Sequence, residues 1–227
     1  MTGVQTCALP ISGRTLTEAR RARLIELAQQ FNFLILADEV YQLLTYHNDP
    51  PKPFATCTNI ENVISLGSFS KVLAPGLRLG WVQAHPNIIK RLVTSGLLDS
   101  GGGMNPFTSA IIRGVLESGD LEKHLHYLIE TYRLRLQTLD SMLQQHIINV
   151  TYTVPKGGYF LWLKFPEQVN TLELRQQAKP FKVDFRQGTL FSTAGASQNC
   201  ARLCFAYYDE EYIEQGILRL KDCLTGF

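Results

Sequence analysis

Two short apolar runs constrain the fold of this chain more than any other feature. Phe33-Leu-Ile-Leu-Ala37 and Val63-Ile-Ser-Leu66 are brief and break off abruptly, the first at Asp38-Glu39 and the second at Gly67-Ser-Phe-Ser-Lys71. Runs of this length suit strands buried on both faces of a parallel sheet. Upstream, Leu16, Ala19, Ala22, Arg23, Leu24, Leu27 and Ala28 recur at helical spacing, and Thr15-Leu-Thr-Glu18 fits a capping box. A helix is therefore expected from residue 15 to about 30. A third run, residues 79–83, follows Pro75-Gly-Leu-Arg78. Helix, strand, connection, strand, strand is the order of an α/β sheet. The polar ends of the first two strands fall where such sheets bind ligands.

The pattern changes further along. Residues 86–98 read as helix, Ser100-Gly-Gly-Gly103 as a flexible break, and 105–117 as a helix with Asn105 at its cap and Pro106 in its first turn. Leu121, Leu125, Leu128, Tyr132, Leu136, Leu139 and Leu143 are spaced 4, 3, 4, 4, 3, 4, which is one long helix with a single apolar stripe. Strands are expected at 150–154, 159–164 and 201–207, and helices at 171–178 and 209–224. This mixture without strict alternation suits a smaller α+β domain. The boundary is placed near 120, giving a domain over 13–119 and a second over 120–227.

Composition excludes several classes. The 22 Lys and Arg against 20 Asp and Glu leave a net charge of +2, no support for a nucleic-acid partner. No apolar stretch is long enough for a membrane helix. The five cysteines are scattered and lack a CxxC pair, so neither a disulfide framework nor a zinc site is indicated, and a reduced, cytoplasmic setting is expected. The five histidines show no metal-ligand spacing. Met1 to Ile11, MTGVQTCALPI, carries no charge and no periodicity. It resembles a translated sequencing-library adapter with a GTG start read as Met. Residues 1–12 are therefore expected to be a non-native leader, and the chain a fragment of a longer subunit.

The informative unit is SLGSFSKVLAPGLRLGW, residues 65–81. An ammonium at the end of a buried strand needs a partner. Ser68 and Ser70 precede Lys71, and Arg78 follows it by seven residues. Hydroxyls and a guanidinium fork are what a phosphate dianion requires. A nucleotide P-loop would need GxxxxGK[ST], which is absent. The alternative is a Schiff-base lysine holding pyridoxal phosphate. Upstream, Asp38 can meet a protonated ring nitrogen and Tyr41 can donate to a phenolic oxygen.

Asp38-Glu-Val-Tyr41 followed by Ser68-Phe-Ser-Lys71 and Pro75-Gly-x-Arg78-x-Gly80-Trp81 resembles the pyridoxal-phosphate-dependent aminotransferases of fold type I, class I/II. The likeness runs from Gly13 to the C-terminus and is nearest in flavour to the aminoadipate, kynurenine and aromatic transaminases. It implies a mixed, mostly parallel large-domain sheet with a C-terminal α+β domain. Lys71 would be the Schiff-base lysine that also moves a proton between the substrate α-carbon and cofactor C4′. Asp38 would pair with the pyridinium and Tyr41 with the phenolic oxygen. Ser68, Ser70 and Arg78 would hold the phosphate. Arg202 would grip the substrate α-carboxylate, and Pro155-Lys-Gly-Gly-Tyr-Phe160 would lead into a strand near the substrate. The implied partners are an amino acid, a 2-oxo acid and a second copy of the subunit. The family's Asn-Pro-x-Gly motif keeps only Gly13 here, and its ring-stacking aromatic and phosphate-binding amide loop are missing. The 227 residues by themselves are thus expected to bind the cofactor weakly or not at all and to show no useful turnover.

Plainer roles stand beside these. Glu39 reads as a solvated neighbour, Arg20, Arg21 and Arg23 as a solvated helix face, and Trp81 and Trp162 as packing residues; Phe160 is a weak pocket candidate. Three activities remain open: amino-group exchange, effector sensing in a transcriptional regulator, and elimination or decarboxylation on the same cofactor.

Overall fold

A computed structural model describes residues 4–5, 13–46, 52–57, 59–101 and 105–225. They divide into two compact units, one containing Thr15–Leu128 and the other containing Gly13, Arg14 and the chain from Ile129 onwards.

The first unit is built on a four-stranded sheet in the order β1 (Val4–Gln5), β2 (Ile35–Asp38), β3 (Val63–Ser68), β4 (Gly80–Ala84). The first three strands are parallel, and β4 runs antiparallel to β3. β1 falls in the segment read as foreign, and two residues are too few to carry a strand periodicity. Helix α1 (Glu18–Phe31) begins later than expected. Its cap is Thr17, whose hydroxyl accepts from the Arg20 amide at 3.4 Å, so the box anchored on Thr15 is not the one used. The helix ends at Asn32, which adopts a left-handed φ of 50° that asparagine tolerates better than most residues.

The core of this unit gathers Ala28 of α1 with Ile35, Ala37, Phe54 and Val63. Helix α1 therefore covers the face of β2 that carries Ile35 and Ala37. Leu36 and Asp38, on the alternate face, are half-buried. The expectation of burial on both faces is corrected to one, and this leaves Asp38 reachable. The helix expected over 86–98 divides at Thr94 and Ser95 into α2 (Pro86–Val93) and α3 (Gly96–Gly101). Ser100 and Gly101 close α3, whereas Gly102 and Gly103 of the expected break lie outside the described residues. Asn105 caps α4 (Pro106–Glu117) as read, accepting from the Thr108 amide at 3.4 Å, and α5 (Asp120–His146) follows.

The second unit carries an antiparallel sheet in the order β5 (Thr151–Tyr152), β6 (Phe160–Lys164), β8 (Cys200–Cys204), β7 (Arg186–Gln187). Helix α6 (Thr171–Ala178) lies between β6 and β7 in the chain, and α7 (Glu210–Leu224) follows β8. Leu161 and Leu163 alternate inward on β6 and are fully buried, while Phe160 and Trp162 on the other face are half-buried. The two-residue strand β7 gave no period-two signal. β8 ends at Cys204, short of the expected 207, although the Phe205 amide still donates to the Tyr159 carbonyl at 3.1 Å, in line with the Phe160–Cys204 register.

One half-buried phenol tests this packing. The Tyr152 hydroxyl donates to Asp140 Oδ1 at 2.7 Å. Burial first, and then the Asp140 carboxylate, push its pKa up to about 12 from an ordinary 10. A raised acid pKa means that the folded state keeps a proton the unfolded chain releases. This contribution is thus complete below pH 10 and is lost as the pH climbs towards 12. Tyrosinate absorbance should show a late-titrating phase that Tyr152→Phe removes and Asp140→Asn moves towards 10.

Candidate active site

In the first unit, the ends of two neighbouring parallel strands carry most of the residues singled out by sequence. The β2–β3 register sets Asp38 beside Leu66, one residue before Gly67. Beyond Asp38 the chain turns: the Glu39 amide donates to the Leu66 carbonyl at 2.9 Å and the Gln42 amide to the Glu39 carbonyl at 2.9 Å. This turn carries Tyr41, only 6% exposed, inward. Beyond Ser68, the amides of Val72, Leu73 and Ala74 all converge on the Phe69 carbonyl at 3.3, 2.9 and 3.1 Å. That tight winding brings Lys71 back over the neighbouring turn, with its Nζ 5.8 Å from the Tyr41 ring centroid. A cation over an aromatic face is attracted by the ring's quadrupole.

The remaining residues behave differently. The Ser68 hydroxyl accepts from the Ser70 amide at 3.1 Å, which fixes the start of the turn. Arg78 closes a 3-10 turn over Pro75–Leu77 in a left-handed conformation, φ 51° and ψ 38°. Such a conformation is unfavourable for a β-carbon-bearing residue and concentrates at functional sites. Its exposed guanidinium donates to the Pro75 carbonyl at 3.3 Å. The turn is braced from β4: Gly67 pairs with Trp81 across the strands, and the Phe69 and Trp81 rings lie 4.7 Å apart.

Glu39 is not the solvated neighbour expected. It is 6% exposed, and its carboxylate accepts from the Phe54 amide at 2.8 Å, the Ala55 amide at 3.2 Å and the Ser65 hydroxyl at 2.7 Å. Arg21 is likewise buried, at 6% exposure, rather than on a solvated face. Its guanidinium donates to the Leu16 and Lys52 carbonyls and lies 5.3 Å from the Phe54 ring centroid. Glu39 and Arg21 thereby hold the same segment, Lys52 to Ala55, from two elements. Apart from Leu16, their partners are remote in sequence, so no local pattern marked either residue.

In the second unit, Arg202 sits on β8 directly opposite Trp162 of β6. Its Cζ lies 3.9 Å from the Phe160 ring centroid and 4.4 Å from that of Phe191. Phe191 was not singled out by sequence; it ends a 3-10 turn over Gly188–Phe191, which has no periodicity.

The donor set suits a phosphorylated pyridine aldehyde. The Asp38 carboxylate is half-buried and, among the described residues, accepts no hydrogen bond, which leaves both oxygens for a protonated ring nitrogen. Lys71 offers an amine, Tyr41 a phenol, Ser68 and Ser70 hydroxyls and Arg78 a guanidinium. Among the described residues no cluster of His, Cys, Asp and Glu could hold a metal ion, and no helix is long and apolar enough to cross a membrane.

Comparison with known proteins agrees with this chemistry. A family model for aminotransferase class I and II matches residues 6–220. Aromatic-amino-acid aminotransferase 1 of Thermococcus litoralis is 36% identical over 215 residues, covering 94% of this chain and 51% of that protein. The HTH-type transcriptional regulator YjiR of Escherichia coli K12 is 30% identical, covering 93% of this chain and 45% of that protein. The solved structure of Pyrococcus horikoshii kynurenine aminotransferase, in complex with PMP, KYN as substrates and KYA as products, superposes with a TM-score of 0.89 at 31% identity, covering 98% of this chain and 56% of that one. The chain thus spans about half the length of the relatives it matches.

Proposed function

Because the chain belongs to the aminotransferase class I and II family, we propose that it carries the lysine, ring-nitrogen partner and carboxylate grip of a pyridoxal-phosphate-dependent transaminase. The single observation that carries the proposal is the meeting of Asp38, Tyr41 and Lys71 at adjacent strand ends, with the Lys71 amine over the Tyr41 ring. Bound pyridoxal phosphate supplies an electron-withdrawing ring that stabilises negative charge at the substrate α-carbon.

The residues of the chain do the rest. The Asp38 carboxylate holds the ring nitrogen protonated. The Tyr41 hydroxyl donates to the phenolic oxygen. Ser68, Ser70 and Arg78 orient the phosphate through charge-assisted hydrogen bonds. Lys71 Nζ would be the amine that anchors the cofactor and, as a free amine, would take the proton from the substrate α-carbon. Arg202 pairs its guanidinium fork with the α-carboxylate, fixing orientation as well as charge. Substrates are an amino acid and a 2-oxo acid, and the working assembly is a cytoplasmic homodimer. The likeness to a regulator supports a second reading, in which the same residues sense an effector instead of turning it over.

A single-turnover assay tests the first reading. The chain, completed to the length of its relatives and saturated with pyridoxal phosphate, is given amino donors labelled with nitrogen-15. Labelled pyridoxamine phosphate and the 2-oxo acid should appear at least about 100-fold faster than with Lys71→Ala, the scale of general acid–base catalysis. A rate equal to that of Lys71→Ala contradicts the proposal. Release of ammonia or carbon dioxide in place of the 2-oxo acid points to elimination or decarboxylation.

A further inference from the structure

The face of the second sheet that carries Arg202 has a built environment. Leu161 and Leu163 point into the core and are fully buried, so Phe160 and Trp162 stand on the opposite face with Arg202. Phe160 covers one side of the guanidinium at 3.9 Å and Phe191 lies against it at 4.4 Å. Phe191 is propped by Trp162, whose ring meets it edge-on at 5.5 Å and 77°. The 3-10 turn that delivers Phe191 starts at Gly188, where a β-carbon would collide with the Ser197 carbonyl and the Cys200 side chain. The position of the turn, and so of the Phe191 ring, is therefore closely set.

We infer that Phe191, with Phe160, is a positioning residue that fixes the plane of the Arg202 guanidinium and thereby sets the affinity of the site for a carboxylate. The inference rests on the proposed role of Arg202. Aromatic rings attract a guanidinium through their faces and displace water from it. An arginine side chain otherwise carries large rotamer freedom, which is lost when it grips a ligand. Rings packed on the guanidinium remove that freedom beforehand. With rings against its face, the guanidinium meets a ligand through its edge. A planar carboxylate that comes edge-on can take two parallel N–H bonds, and the same charge in water would bind it less well.

The test is a titration of the 227-residue chain with 3-phenylpropanoate, a carboxylate that has no amino group to react, followed by NMR. Wild type, Phe191→Leu, Phe191→Tyr, Arg202→Lys and the Phe191→Leu/Arg202→Lys double variant are compared, with thermal unfolding recorded for each. Phe191→Leu should weaken binding about tenfold, within the range of a cation–π contact. Phe191→Tyr, which keeps the ring, should bind within about twofold of wild type, and the Leu effect should vanish once Arg202 is Lys. If Phe191→Leu binds like wild type while Arg202→Lys weakens binding, the positioning role is overturned and the carboxylate role stands. Equal loss from Phe191→Leu in both backgrounds also overturns the positioning role, since the residue would then act without Arg202. If Arg202→Lys binds like wild type, or wild type itself does not bind, the carboxylate role fails and the positioning role with it.

Discussion

Glu39→Ala should lower the stability of the first unit by about 3 kcal/mol or more, the sum expected when several buried donors lose their acceptor at about 1–3 kcal/mol each. Two backbone amides, those of Phe54 and Ala55, and the Ser65 hydroxyl converge on this carboxylate, and the residue is only 6% exposed. Water cannot replace the lost oxygens without entering the packing around Phe54, a member of the core cluster. Glu39→Gln should lose roughly half as much. Its carbonyl can serve one amide and its NH₂ can reach Ser65, but one backbone donor then faces another donor. The same change at Glu18, in the exposed first turn of α1, should move stability by less than about 0.5 kcal/mol. Urea midpoints followed by a probe in the first unit measure all three. A loss below about 0.5 kcal/mol for Glu39→Ala would refute the anchoring role. Because Glu39 follows Asp38 directly, its loss should also loosen the carboxylate assigned to the ring nitrogen.

Gly67→Ala is the second large effect. A β-carbon on Gly67 would fall inside the indole of Trp81, its cross-strand neighbour. On the other strand, a β-carbon on Gly80 would approach the Gly67 carbonyl to 2.6 Å, so the two backbones already lie in close contact. The indole must therefore leave its place, and with it the Phe69 contact at 4.7 Å that braces the turn to Lys71. Overpacking of this kind costs about 1–3 kcal/mol. Trp81 fluorescence should report the move as a shift towards a more solvated indole, read in a Trp162→Phe background. Trp81→Leu should relieve part of the damage, so that the double variant is more stable than the sum of the singles predicts. Strict additivity, with an unchanged Trp81 spectrum, would show that the indole does not occupy this place.

Features with local causes were legible in the sequence. Asn105 and Pro106 start α4 where they were read because a cap and a first-turn proline act within a few residues. α6 occupies the expected 171–178, its first turn capped by the Asn170 side chain, which accepts from the Leu172 amide at 3.0 Å. The start of α1 moved because two threonines compete for one cap, and only Thr17 has its hydroxyl on an amide of the first turn. The one-faced burial of β2 depends on what packs against the sheet, which a run of apolar residues does not encode. The site shows the same division. Asp38, Tyr41, Ser68, Ser70 and Lys71 lie within two short motifs, and the turns that gather them are local. Glu39 and Arg21 stayed hidden because their partners, the Leu16 carbonyl apart, are 15 to 31 residues away. Phe191 stayed hidden because a 3-10 turn after a two-residue strand has no periodicity to read.

The central claim is that Lys71 is the residue to which the cofactor is joined, and it can be read at residue level. The chain is incubated with pyridoxal phosphate, reduced with borohydride, digested, and the labelled lysines are ranked by mass spectrometry. Lys71 should take the label at the lowest cofactor concentration. Asp38→Asn should raise the concentration required, and exposed lysines such as Lys123 and Lys164 should be labelled only later. Labelling of Lys71 no earlier than that of Lys123 and Lys164, and unaffected by Asp38→Asn, would contradict the claim.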